Sequence, residues 1–348
     1  MGAKNSSYLP EVERRVLSDW RVIACAAGLD EELKLHCPRR LTEDLPVTKR
    51  GWVLFSAMAV IWGVPYFFIR VAVKELDPPV VVFGRTSLAA AVLLVLAGRI
   101  GAIRPALRRW RPVLIFATIE MAIPWILLTT AEEHLASGLT ALIIASVPIV
   151  GTIAAFLLGD RHALRFVRLV GIVLGLGGVA LLVGRDLTSD HAPPWWSVLE
   201  VLIVVVCYAT APFLADRRIA DVPSLGVIAV SLSFVTVIYA PIAAASLPDK
   251  APRINPVLAV LGLAIVCTGL AFVVFFKLID EVGPARAGLI TFANPVVAIA
   301  LGAVFLDELI TVATVIGFLL VIAGCWLATR PPPASVDSPD ELLELSSP

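Results

Sequence analysis

The sequence predicts an all-α, polytopic membrane protein of ten transmembrane helices, arranged as two inverted repeats of five. Three observations predict this. First, hydrophobic residues make up 59% of the chain and charged residues 16%, with a mean hydropathy of +0.91. A soluble domain carries roughly 45–50% apolar and about 25% charged residues, so 348 residues cannot cover this much apolar surface with polar side chains. Second, apolar runs of about 18–24 residues alternate with short polar turns, the length a helix needs to cross a bilayer. Third, marker residues recur at one fixed offset. Net charge is zero, so bulk electrostatics offers nucleic acid no purchase and charge placement matters instead.

In chain order, residues 1–50 are polar and lack the apolar stretch of a signal peptide, and they read as a cytosolic tail. Val12 to Ala27 is weakly amphipathic, and Met1-Gly2 with Ser6 fits a myristoylation pattern only loosely. The expected spans are 51–73, 79–98, 112–131, 137–158, 166–184, 195–215, 223–245, 256–278, 284–306 and 310–328. Asp77-Pro78-Pro79, Arg111-Pro112, Pro193-Pro194 and Gly283-Pro284 supply the breaks. From Pro331 to Pro348 the chain is rich in Pro, Ser and Glu and reads as a disordered tail. The domains expected are therefore a tail over 1–50, one five-helix repeat over 51–184, a second over 195–329 and a tail over 330–348.

The repeat rests on spacing. Pro65 and Pro212 are 147 residues apart (212 − 65), as are Pro148 and Pro295, Arg70 and Arg217, and Glu133 and Asp280. Gly171 and Gly317, then Gly178 and Gly324, come at 146, one residue having been lost in a loop. An odd number of spans per unit makes the second copy enter the membrane from the opposite face. The loops agree: Arg161, Arg165 and Arg168 come after the fourth span, whereas Asp307 and Glu308 come after the ninth. Inverted repeats of this kind characterise many secondary transporters, with the solute site near mid-membrane at the repeat interface. Lys and Arg concentrate in the first, third, fifth and seventh of the eleven segments outside the spans, which places both termini inside.

The stretches LIDEVGPARAGL and NPVVAIALGAVFLDE and the Gly317-x6-Gly324 helix resemble the EamA-type branch of the drug/metabolite transporter superfamily. So do IWGVPYFF, FGRTSLAAAVLL and SVPIVGTIAAFLLGD in the first half. The resemblance covers about residues 51–329 and implies a ten-helix, two-repeat fold that moves small metabolites. One departure is Gly159-Asp160-Arg161, where that family usually has Gly-Glu.

Candidate transport residues are polar or aromatic groups at membrane depth. Arg85 lies about six residues inside the second span, roughly 9 Å from its outer end at 1.5 Å per residue. A charge at such depth faces a bundle interior or water, as a solute or gating group or in a salt bridge. By depth Glu200 is its easier partner, with Glu120 also in reach. Glu120, near mid-membrane in the third span, could carry a coupling proton, because burial disfavours a charged carboxyl. Trp62 and Tyr66 beside Pro65, and Trp125 beside Pro124, suit either a cavity wall or plain packing. Tyr208 and Asn294 are polar groups in apolar spans, and Pro65, Pro148, Pro212 and Pro295 are expected to shape helices. Gly171-x3-Gly175 allows close helix contact, within the chain or across a homodimer.

The residues together lead to the expectation of a secondary active transporter, an exporter of small metabolites such as amino acids, nucleobase-like compounds or drugs. It would sit in the cell (plasma or inner) membrane and work by alternating access, with protons as a candidate coupling ion. A passive facilitator would share the fold. A scaffold has only the N-terminal tail to suggest it, and an intramembrane enzyme would need a nucleophile–base set that is not found. No cofactor or metal is expected: the five cysteines and four histidines are scattered, and no phosphate-cradling GxxxxGK[ST] occurs.

Overall fold

In a computed structural model the described residues are 48–157, 166–187 and 192–329. The expectations for both tails, for Cys25 and Cys37 and for the Gly159-Asp160-Arg161 departure lie outside them. The described chain is helical throughout. Eight helices are long and apolar enough to cross a membrane and two shorter apolar helices complete the ten. They are α1 (Lys49–Ala72), α2 (Pro78–Arg99), α3 (Trp110–Ala131), α4 (Ser137–Leu157), α5 (Phe166–Leu187), α6 (Trp195–Arg218), α7 (Ser224–Ala245), α8 (Ile254–Val282), α9 (Ile290–Phe305) and α10 (Val312–Ala328).

Local chemistry starts and stops them. The Thr48 hydroxyl accepts from the Gly51 N–H at 2.9 Å and caps α1. Proline opens α2, where a missing N–H costs nothing. Thr311 and Thr314 form a capping box at α10. Gly283, at φ 81°, ends α8 in the left-handed conformation that glycine adopts most readily. Two spans depart from the continuous helices expected. Helix α4 breaks at Ala145–Ser146 and resumes at Val147, with Pro148 second in the new segment, where its missing N–H costs no intrahelical bond. The span expected over 284–306 divides into a single turn, Pro284–Ala287, and α9 proper.

Helices pair as repeat exchange requires. Helix α5 packs on α10 and α2 on α7, while α1 packs on α8 and α9 and α6 on α3 and α4. Exchanging the repeats maps each of these pairings onto itself or onto another of them. The loops repeat the pattern: Arg109 pairs with Asp221 at 2.9 Å on one face, and Arg253 pairs with Glu75 on the other. The Arg253 backbone N–H is the main influence holding the Glu75 carboxyl below the usual carboxylate range. Likewise Arg50, at the start of α1, meets Glu281 at the end of α8, while Trp196 at the start of α6 meets His134 just beyond α3. Each such contact joins loops of one face.

The inversion is visible at α4. Glu308, in the α9–α10 turn, accepts hydrogen bonds from the α4 N-terminus. The loop after α9 therefore lies one span away from the end of α4, its repeat counterpart. Outward faces carry Val53, Val92, Val173, Val237 and Leu319, all exposed, as hydrocarbon contact demands. The seam between α5 and α10 is built on glycine: a Cβ on Gly171 would stand 2.5 Å from the Ala328 nitrogen, and one on Gly324 2.4 Å from the Gly175 nitrogen. The small-residue face of α5 is thus taken up within the chain.

Candidate functional site

Inside the bundle, α3 and α8 each carry one wide turn of π-helix, over Thr118–Ala122 and Ile265–Leu270. The two begin 147 residues apart (265 − 118), the repeat offset. A π-turn inserts one residue, rotates the rest of the helix relative to the part before it and frees a carbonyl, and such turns gather at functional sites. In each repeat the need is met differently. The Tyr239 hydroxyl of α7 donates to the Ala122 carbonyl at 3.0 Å. In α8 the Thr268 hydroxyl donates to the Leu263 carbonyl at 2.8 Å.

Thr268 also faces α2. Arg85 Nε donates to its Oγ1 at 2.9 Å, and the Arg85 guanidinium lies 3.8 Å over the Trp125 ring of α3. Arg85 is only 8% exposed and Trp125 6%. Tyr208 of α6, Cys267 of α8 and Tyr66 of α1 lie within electrostatic reach of the guanidinium. Tyr208 also stands within electrostatic reach of Glu120 and beside Trp125. Five spans from both repeats therefore meet around one buried cation.

The expected salt bridge is not made. Among the described residues no carboxylate lies within 4.0 Å of Arg85. Glu200 instead accepts from the Thr130 hydroxyl at 3.0 Å, and Glu120, on the π-turn of α3, has no hydrogen bond or ion pair among the described residues. Depth along a helix had made Glu200 the easier partner; its azimuth turns it toward Thr130.

The remaining candidates divide. Trp62 is half-buried and packs on Phe272 and Phe275 of α8, with ring centroids 6.3 and 4.6 Å away. Asn294 joins α9 to α1: with its amide assigned so that both ends are satisfied, the nitrogen donates to the Ala59 carbonyl at 3.3 Å and to the Ile290 carbonyl at 3.0 Å. Among the described residues neither makes a hydrogen bond or ring contact with Arg85. Pro65, Pro212 and Pro295 lie inside α1, α6 and α9, and Pro148 is second in the segment after the α4 break.

Three polar residues escaped sequence reasoning. Thr268 is a lone hydroxyl in an apolar run, and only the repeat offset could have drawn attention to its π-turn. Glu132 reads as a loop acid, yet it is fully buried in the turn after α3 and neither carboxylate oxygen has a partner. Burial, and then the neighbouring Glu308 charge, keep its carboxyl well above the ordinary carboxylate range. The third is Glu308, which accepts from Ser137 N–H at 2.7 Å, Ser137 hydroxyl at 2.8 Å and Gly138 N–H at 3.1 Å. It closes the end of the bundle beyond Arg85, a carboxylate of one repeat capping a helix of the other. A cavity of about 130 Å³ beside this closure is lined by Leu142, Arg185, Ile299 and Thr314 among others. Its polar lining is already engaged, Arg185 with the Thr311 hydroxyl at 2.6 Å and Glu308 with α4, whereas Arg85 makes a single hydrogen bond among the described residues.

Comparison with known proteins agrees with this architecture. The model of the EamA-like transporter family matches twice, over residues 49–184 and 195–330. The inner membrane transporter YedA of Escherichia coli K12, named as uncharacterized, is 30% identical over 250 residues, covering 71% of this chain and 79% of its own. A protein of Streptantibioticus cattleyicolor, named a probable terminal-alkyne amino-acid exporter, is 25% identical over 289 residues, covering 82% of this chain and 95% of its own. One solved structure superposes with a TM-score of 0.58 at 22% identity, over 80% of this chain and 96% of that one, a likeness of fold alone. With two family matches spanning the whole helical bundle, this multi-pass membrane protein belongs to the EamA-like transporter family.

Proposed function

We propose that the protein is a secondary active exporter of small metabolites, working by alternating access about the Arg85 group, with both termini in the cytoplasm. One observation carries the reading. Five spans of a two-repeat bundle converge on a buried guanidinium that has no carboxylate partner among the described residues. The surroundings of Arg85 do not obey the repeat: at the offset of 147, Leu232 stands for Arg85, Cys267 for Glu120 and Phe272 for Trp125. A scaffold built by duplication does not require a charge in one copy only, whereas a solute site does. Basic loops assign the Glu308 end to the outside, so the bundle is closed outward and the solute enters from within.

Glu120 is proposed to carry the coupling proton. It sits on a π-turn, without an ion-pair partner among the described residues, and Tyr208 stands within electrostatic reach of both it and Arg85. Protonation there changes the field that a solute at Arg85 experiences. In proteoliposomes holding the full chain, accumulation driven by a pH gradient is expected in the wild type. Glu120→Gln should abolish accumulation and keep downhill exchange. A Glu120→Gln protein that still concentrates solute defeats the coupling role, and a wild type indifferent to the gradient favours a passive facilitator.

A further inference from the structure

Arg85 is a buried charge with no ion-pair partner among the described residues. A guanidinium never loses its charge in a protein, and at membrane depth it needs a counter-charge or water. Among the described residues its contacts are neutral: the Thr268 hydroxyl takes Nε at 2.9 Å and the Trp125 face covers the plane at 3.8 Å. These two contacts fix the guanidinium in position and orientation. Among the described residues, the edge bearing the two Nη groups has no acceptor. Glu132, the one carboxyl within electrostatic reach of Arg85, makes no hydrogen bond to it.

Resting on the transport reading above, we propose that the solute carries a carboxylate, received by the Nη edge of Arg85. That edge offers two parallel N–H donors, the spacing that a planar carboxylate accepts side by side. A phosphate dianion fits less well, because one guanidinium supplies a single positive charge and no second cation acts on it among the described residues. The Trp125 face lies on the guanidinium, and Tyr66 and Tyr208 stand within its electrostatic reach, so a flat, apolar solute body suits the space next to the carboxylate. Glu120, five residues before Trp125 on α3 and thus roughly 7 Å along it, stands where an ammonium on the same solute would be welcome.

The test is equilibrium binding to the purified full chain, with five probes of one shape and different charge. Phenylacetate and phenylalanine carry the carboxylate; phenylalaninamide and phenethylamine lack it; phenyl phosphate replaces it. The two carboxylates are expected to bind, and Arg85→Gln to weaken them at least about tenfold, the loss of one charge-assisted contact. Arg85→Lys, which keeps the charge without the fork, should recover part of the affinity, and thermal melting shows that the variants are folded. Equal or tighter binding of the amide, the amine or the phosphate by the wild type overturns the inference, as does failure of both carboxylates to bind. Counterflow of the bound probe into proteoliposomes separates the two claims. Binding without counterflow defeats the transport reading and spares the carboxylate; counterflow of the amine but not of phenylacetate does the reverse.

Discussion

Replacing Gly324 by leucine is expected to leave no folded protein. A Cβ at that position would lie 2.4 Å from the Gly175 nitrogen, 2.5 Å from its Cα and 2.6 Å from the Gly171 carbonyl oxygen. All three are backbone atoms, so no rotamer change makes room and α5 must leave α10 altogether. Overpacking commonly costs about 1–3 kcal/mol, and a leucine against backbone on both sides belongs at or above the top of that range. Lipid tails give helices no hydrophobic reason to stay together, so close backbone approach is what holds this pair. Gly177→Ala on the exposed face of α5 is the control: a Cβ there meets nothing within 4 Å. It should melt at or above the wild-type temperature, since alanine favours a helix over glycine by about 1 kcal/mol. Monodisperse yield in detergent and the melting temperature read both variants. A Gly324→Leu protein that melts like the wild type would show that the seam is misplaced.

Replacing Glu308 by alanine is expected to open the end of the bundle proposed to face outward. Three donors, Ser137 N–H, Ser137 hydroxyl and Gly138 N–H, lose their acceptor, and one of the ties between the two repeats at that face goes with them. Charge-assisted hydrogen bonds contribute about 1.5–3 kcal/mol, so a loss of about 2 kcal/mol shifts the open-to-closed ratio roughly 30-fold. Glu132 belongs to the same device, because a neutral carboxyl beneath the turn puts no charge against Glu308. The native thiol of Cys267 reports the opening: it is 1% exposed beside Arg85 and should resist a membrane-impermeant thiol reagent applied from outside. In Glu308→Ala it should react, with peptide mass spectrometry separating it from Cys207 and Cys325. Gly302→Ala should do the same without removing the acid, since its Cβ would stand 2.3 Å from a Glu308 carboxylate oxygen. Unchanged Cys267 protection in both variants contradicts the closure.

Much of the fold can be read directly from the residues. The span expected over 79–98 is α2 at Pro78–Arg99, and that over 137–158 is α4 at Ser137–Leu157, because turn residues and hydrocarbon thickness bound each apolar run. The π-turns were beyond reach, since a one-residue shift of phase leaves no trace where every neighbour is apolar, as around Ile265–Leu270. Helix pairing was half legible. The glycines of α5 announce that something packs closely, but nothing local says that it is α10. The site was legible as a set of residue types and not as an arrangement. Arg85, Trp125, Tyr66 and Tyr208 meet, whereas Trp62 and Asn294 serve neighbouring packing, because azimuth around a helix decides the meeting and depth alone does not give it. Glu132 and Glu308 looked like solvated loop acids because their partners lie in other helices or, for the Glu132 carboxyl, are lacking.

The arrangement of the two repeats upside down to one another underlies the pairing, the closure and the solute site alike. Single cysteines at Arg165, after α4, and at Leu309, after α9, with all five native cysteines changed to serine, test it in intact cells. Labelling with an impermeant maleimide should reach Leu309→Cys from outside and Arg165→Cys only after the cells are opened. Labelling of both from the same side would contradict the inverted architecture and the solute pathway that depends on it.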